Sequence, residues 1–85
     1  MFGEDCELAL AVVHAENGRM DPKLVSKPNR NGTRDHGCWQ LNDAYYVSQY
    51  DCFKDTLTAY EIYKSWGGFH AWSAYNNGNY KKYYQ

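Results

Sequence analysis

The stretch from Arg19 to His36 limits the architecture more than any other part of this 85-residue chain. It carries Pro22, Pro28, Asn29, Asn31, Gly32 and a scatter of charges, so neither a continuous helix nor a regular sheet passes through it. The expected order is a helix, an extended excursion, and then more helix. Asn31-Gly32 is the strongest short turn signal present and predicts a hairpin tip. Val25 to Arg30 and Thr33 to Leu41 are its short, irregular arms.

The flanks read as helices. From Glu4 to Asn17, residues Leu8, Ala11, Val12 and Ala15 recur at helical spacing and form a stripe for a core. Glu4, Asp5 and Glu7 lie in the first turns, where the helix dipole favours negative charge. Asn17-Gly18 supplies the stop, with Gly18 in the left-handed cap conformation. A second helix is expected from Phe53 to Trp66, with Asp51 as its N-cap and Gly67-Gly68 ending it. Its broad apolar face holds Leu57, Ala59, Tyr60, Ile62, Tyr63 and Trp66. Short helices follow at Phe69 to Tyr75 and Tyr80 to Tyr84, separated by the turn residues Asn76 to Asn79. Trp66, Phe69 and Trp72 are expected in the core. Tyr80, Tyr83 and Tyr84 pack while Lys81 and Lys82 stay solvated. The fold class is thus α+β, mostly helical with one short β-hairpin after the first helix. Residues 1–85 form one domain, since the length leaves no room for a second core.

Composition narrows the partners. A net charge of -1 argues against a nucleic-acid binder, which needs a basic excess to neutralise phosphates. The charge is uneven, however: the excursion carries a net of +3, a locally basic lip for an anionic polymer. Nine Tyr, three Trp and three Phe suit either stacking on sugars or the filling of a small core. No apolar run reaches the roughly 18 residues of a membrane span. The N-terminus lacks the basic-then-apolar pattern of a secretory signal. Cys6, Cys38 and Cys52 allow at most one intrachain disulfide. Cys38 with Cys52 is the preferred pairing, and all three pairings stay open. Cysteine and histidine show no paired metal-ligand spacing, so no metal or cofactor is expected. His14-Ala15-Glu16 matches half of a zinc deaminase signature, but the P-C-x-x-C half is missing.

The candidate chemistry starts at Glu16. A carboxylate in the last turn of a helix faces the dipole's negative end, where stability alone selects a cation. Dipole and apolar neighbours both disfavour its charged form, which raises its pKa and suits a general acid. Asp35 lies 19 residues on, past the hairpin tip, where a hairpin folded over the helix end brings it opposite Glu16. Two carboxyls flanking a cleft are the apparatus of glycoside hydrolysis. Strict strand alternation puts Asp35 and Gln40 on opposite faces. Both reach one cleft only if the strand breaks, and Gly37 is where it can break. Tyr45 and Tyr46 are further candidates to line the groove, and His36 to face solvent or its rim.

Three ordered motifs, Ala15-Glu16-Asn17-Gly18, Gly37-Cys38-Trp39-Gln40-Leu41-Asn42 and Ala74-Tyr75-Asn76-Asn77-Gly78, resemble those of the lysozyme-like superfamily, in its soluble lytic transglycosylase branch. Asn31 to Asn42 is also similar to the hairpin of c-type lysozymes. The resemblance implies cleavage of the β-1,4 bond between N-acetylmuramic acid and N-acetylglucosamine in peptidoglycan. It implies Glu16 as acid/base, and Asp35 as the second carboxylate of the lysozyme branch only. Gln40, Tyr75, Trp39, Asn42, Asn17 and Asn76 become candidate glycan-binding residues. Asn17 stands where transglycosylases carry Ser, and Trp39 is either a sugar platform or core. The expectation leans to a lytic transglycosylase acting without a cofactor, as a monomer, outside the cytoplasm or in a phage component. The alternatives are a hydrolytic muramidase using Glu16 and Asp35, or a non-catalytic glycan-binding module.

Overall fold

A computed structural model describes residues 1–84. A 3₁₀ turn, Gly3–Asp5, leads into α1, Cys6–Glu16. Then come β1, Asp35–His36, and β2, Leu41–Asn42, followed by α2, Cys52–Trp66. The chain closes with α3, Ser73–Asn76, and a second 3₁₀ turn, Asn79–Lys82. This is an α+β arrangement, mostly helical, with one short antiparallel hairpin after the first helix. Among the described residues no helix is long and apolar enough to cross a membrane.

The face that α1 buries differs by a small rotation from the expected stripe. Ala9, Val12 and Val13 enter the core, while Leu8 and Ala15 are only half-buried. The leading 3₁₀ turn brings Phe2 against α1's neighbours in the core and so adds an aromatic that periodicity does not reveal. Glu16 is one turn beyond Val12 and Val13, on the same side of the helix. The expected glycine cap is replaced. Asn17 ends α1 at φ -146°, ψ 88°, its N–H donating to the Val13 carbonyl at 2.9 Å. Its side chain, only 2% exposed, then donates to the carbonyls of Asp21 (2.8 Å) and Gly37 (3.2 Å) and accepts from the Asp21 N–H. An asparagine that ties two loops together removes the need for a left-handed Gly18.

The hairpin is displaced from its expected position. A turn does form at Asn29–Thr33, with Gly32 at φ +83°. The arm before it meets the arm after it through one isolated bridge, Val25 to His36, and through Ser26 N–H to the Asp35 carbonyl. The regular ladder instead joins Asp35 to Asn42 and His36 to Leu41, around a turn at Gly37–Gln40. Pro28 has no N–H to extend the first pairing. Gly37, at φ +80°, reverses the chain as the sequence suggested it could. Gln40 also has a left-handed backbone, at φ +49°.

The second helix follows the sequence closely. Asp51 caps it by accepting from the Lys54 N–H at 2.9 Å, and Gly67 ends it at φ +71°. Ala59 and Ile62 are buried, but Trp66 is 57% exposed, so its expected core role fails. The residues after Gly67-Gly68 turn Phe69 and Trp72 inward instead. They pack with Trp39, Phe2 and Tyr63 in tilted and edge-on contacts into one aromatic cluster; the Tyr63–Phe69 centroids are 4.8 Å apart and those of Trp39–Trp72 5.2 Å. The expected helix from Phe69 shrinks to α3, and that at Tyr80–Tyr84 to the Asn79–Lys82 turn. Cys38 and Cys52 are joined by a disulfide, and Cys6 is free and exposed.

Candidate active site

A groove of about 220 Å³ opens between the end of α1, the hairpin and the start of α3. Five of the candidate residues line it: Tyr46, Glu16, Asp35, Gln40 and Asn42. The hairpin register explains the last three. Asp35 and Asn42 are cross-strand partners, so their side chains share a face, and Asn42 Nδ2 donates to Asp35 Oδ1 at 3.0 Å. Gln40 joins them because the Gly37–Gln40 turn interrupts alternation. Its Nε2 donates to the Gly37 carbonyl at 2.8 Å and to that of Leu24 at 3.3 Å.

Glu16 enters the groove half-buried. Its Oε2 accepts from the Ala74 N–H at 3.0 Å, a bond across 58 residues that ties α1 to α3. Burial lifts its carboxyl above the ordinary value. The Ala74 bond opposes that lift, and the negative charge of Asp35 adds to it. With Oε2 committed to Ala74, Oε1 is the oxygen left to face a ligand. A carboxyl whose pKa burial pushes upward lies in the same groove as a second carboxyl whose side chain is held by amides.

The other candidates are placed elsewhere. Trp39 is 3% exposed and belongs to the core; its Nε1 donates to Thr56 Oγ1 at 2.8 Å and its carbonyl accepts from Trp72 Nε1. The turn that exposes Gln40 sends its predecessor inward. Asn17 is a buried strut between loops and not a groove residue. Tyr75 and Asn76 line a separate open cavity with His70, Tyr80 and Lys81. The short α3 puts Ala74 toward Glu16, and Tyr75 stacks instead on Tyr80 at 5.1 Å. Tyr46 lines the groove, whereas Tyr45 is 80% exposed and does not.

Several participants were not legible as chemistry. Asn29 and Ser73 line the groove. The Ala74 N–H is a backbone donor that residue-type reasoning passes over, although Ala74 opens the third motif. His36 turns to the opposite face from Asp35, with Nε2 3.0 Å from Asp43 Oδ2 and Nδ1 2.9 Å from the Tyr50 hydroxyl. Contact with His36 draws the exposed Asp43 carboxyl below its ordinary range. Among the described residues no group of three or more His, Cys, Asp or Glu is placed to hold a metal ion.

Comparison with known proteins points the same way as this geometry. Over 37 residues the chain is 49% identical to a lysozyme of Galleria mellonella, covering 44% of this chain and 29% of that protein. Over 40 residues it is 42% identical to a lysozyme of Hyalophora cecropia, covering 47% of this chain and 28% of that protein. The matched stretch thus spans under a third of either relative. No protein-family model matches the chain, and no solved structure does. The two matches support a lysozyme-like relationship for a chain whose groove holds Glu16 and Asp35.

Proposed function

We propose that the chain is a peptidoglycan glycosidase that cleaves the β-1,4 bond after N-acetylmuramic acid, with Glu16 as the general acid. The observation that carries this reading is the placement of Glu16: half-buried, raised in pKa, fixed by Ala74, and sharing a groove with Asp35. Glu16 gives its proton from Oε1 to the glycosidic oxygen as the bond breaks. The sugar left behind carries oxocarbenium-like charge, and the Asp35 carboxylate faces it. Glu16, now ionised, then takes a proton from the group that completes the reaction.

That group is either water or the muramic acid's own 6-hydroxyl. The motifs lean to the second, transglycosylase route, which asks less of the protein because the nucleophile is tethered. Asp35 in the groove favours the first, as do two relatives bearing the name lysozyme. The hydrolytic, muramidase reading is therefore preferred. Asn42 and Asn29 support it by donating to Asp35 Oδ1 at 3.0 and 3.4 Å, which orients the carboxylate. The groove, at about 220 Å³, is smaller than the roughly 300 Å³ of drug-sized pockets, a size that suits one sugar ring of the strand. Gln40 and Asn42 offer the polar contacts there, and Tyr46 an aromatic edge. A monomer working outside the cytoplasm, or within a phage particle, fits this substrate.

The test is clearing of purified cell walls, followed by mass spectrometry of the fragments. Wild type should clear and Glu16→Gln should not, with equal far-UV circular dichroism. Equal clearing by both rules out Glu16 as the acid, and clearing by neither leaves a non-catalytic glycan-binding module. Reducing ends support hydrolysis; ends one water lighter establish the transglycosylase route.

A further inference from the structure

We propose that Asp55 is a positioning residue for the groove: from behind the hairpin it fixes the turn that presents Gln40 and Asp35. The inference rests on the reading of the groove as the site of glycan cleavage, and it concerns a residue that does not touch the groove.

Asp55 lies one turn into α2 and is completely enclosed, at 0% exposure. A buried carboxylate is costly unless its oxygens are satisfied, and here no basic side chain pairs with it among the described residues. Its partners are all donors from the loop before α2. The Ser48 hydroxyl donates to Oδ2, and the Gln49 N–H donates to Oδ1 at 2.8 Å. Ser48 is itself held, since its oxygen accepts from the Tyr50 N–H at 3.0 Å.

This polar knot is packed flat against Gly37. A Cβ on Gly37 would come within 2.5 Å of Asp55 Oδ2 and 2.7 Å of Ser48 Oγ. The same glycine opens the turn that places Gln40, and its carbonyl accepts from Gln40 Nε2 and from Asn17 Nδ2. The residue before it is His36, and the one before that is Asp35. One turn earlier on α2, Cys52 is bonded to Cys38, the residue after Gly37. The helix therefore meets this turn twice, once through the covalent bond at 52 and once through the Asp55 carboxylate packed closely on Gly37.

A neutral amide cannot substitute for the carboxylate. Asn can accept from the Gln49 N–H with its oxygen, but its other end presents N–H groups where Oδ2 stood, so the Ser48 hydroxyl proton loses the acceptor it has in Asp55. The turn must shift to relieve this, and Gln40 and Asp35 shift with it. Small misplacements at a reacting centre lower turnover steeply, by up to about a hundredfold per ångström.

The experiment compares wild type, Asp55→Asn and Ser48→Ala, using solubilised cell-wall glycan for kinetics and ¹⁵N-labelled protein for the Gln40 side-chain amide resonances. Near-UV circular dichroism reports the folded fraction. Per folded molecule, Asp55→Asn should lower kcat about tenfold with KM changed less than twofold. Ser48→Ala should lower it about threefold, and both should move the Gln40 resonances. A residue that only stabilised the fold would leave kcat per folded molecule and the Gln40 resonances as in wild type, and that result overturns the proposal. If Asp55→Asn does not fold, Ser48→Ala decides by the same two readouts. If wild type itself fails to cleave the glycan, the cleavage reading falls, and the Gln40 resonances alone then decide whether Asp55 sets the turn.

Discussion

Two glycines with nearly the same backbone angle make an internal comparison. Gly67 closes α2 at φ +71° with nothing within 4 Å of where a Cβ would sit. Gly37 has φ +80°, and the same Cβ would meet Asp55 Oδ2 at 2.5 Å, Ser48 Oγ at 2.7 Å and the Pro22 carbonyl at 3.5 Å. Replacing Gly67 by Ala incurs only the left-handed backbone penalty, about 1–2 kcal/mol. Gly37→Ala incurs the same penalty plus that of overpacking, about 1–3 kcal/mol more. The neighbours cannot yield cheaply, because Asp55 is held by the Gln49 N–H and Ser48 by the Tyr50 N–H. The expected losses are therefore about 1–2 kcal/mol for Gly67→Ala and about 2–5 kcal/mol for Gly37→Ala. For a domain of this size total stability is on the order of 4–13 kcal/mol, so the second variant loses a large fraction of it. Urea unfolding followed by far-UV circular dichroism, with the disulfide kept oxidised, gives both values. Thermal midpoints should fall by about 4–8 °C per kcal/mol. Equal losses at the two positions would refute the claim that Gly37 is chosen for its neighbours as well as its angle.

Other consequences are as direct. The folded-state pKa of Glu16 is raised, so its stabilising contribution is complete below the unfolded value near 4.5 and disappears as pH climbs through the folded value. Glu16→Gln, which cannot ionise, should thus gain stability over wild type on going from pH 4 to pH 8 in denaturant titrations; a gap that narrows over that range contradicts the burial argument. Replacing Cys38 and Cys52 by Ser opens a loop of 14 residues and should cost about 3 kcal/mol, measured as the shift in urea midpoint. Trp66→Ala should change stability by under about 0.5 kcal/mol, while Trp72→Ala should remove about 3–5 kcal/mol. Comparable effects from the two would mean that the aromatic cluster is wrongly placed.

The elements written in local chemistry were legible. Asp51 and Gly67 bracket α2 because a cap and a left-handed stop act within a few residues. The break at Gly37 could be foreseen from the conflict between strand alternation and a shared groove for Asp35 and Gln40. What escaped depends on contacts made far along the chain. Asn17 could not be recognised as a cap without the Asp21 and Gly37 carbonyls that it binds. Trp39 and Gln40 are adjacent, and only the folded turn decides which of them goes inward. Trp66 fits the apolar periodicity of α2, but the helix ends before any partner covers it. Tyr75 was tied to the groove by its motif, yet α3 starts at Ser73 and turns Ala74 to Glu16 instead. Asp55 carried no signal at all, since an acidic residue early in a helix ordinarily reads as a favourable dipole contact.

The link from Glu16 to the Ala74 N–H has a consequence for the chain during its synthesis. The first helix leaves the ribosome well before Ala74 has been translated. Until the segment around Ala74 emerges and docks, that glutamate has neither its anchoring donor nor the wall that shields it from water. A nascent chain therefore carries the residue in an ordinary hydrated state, and the upward shift of its pKa arrives only once the segment that holds Ala74 has docked.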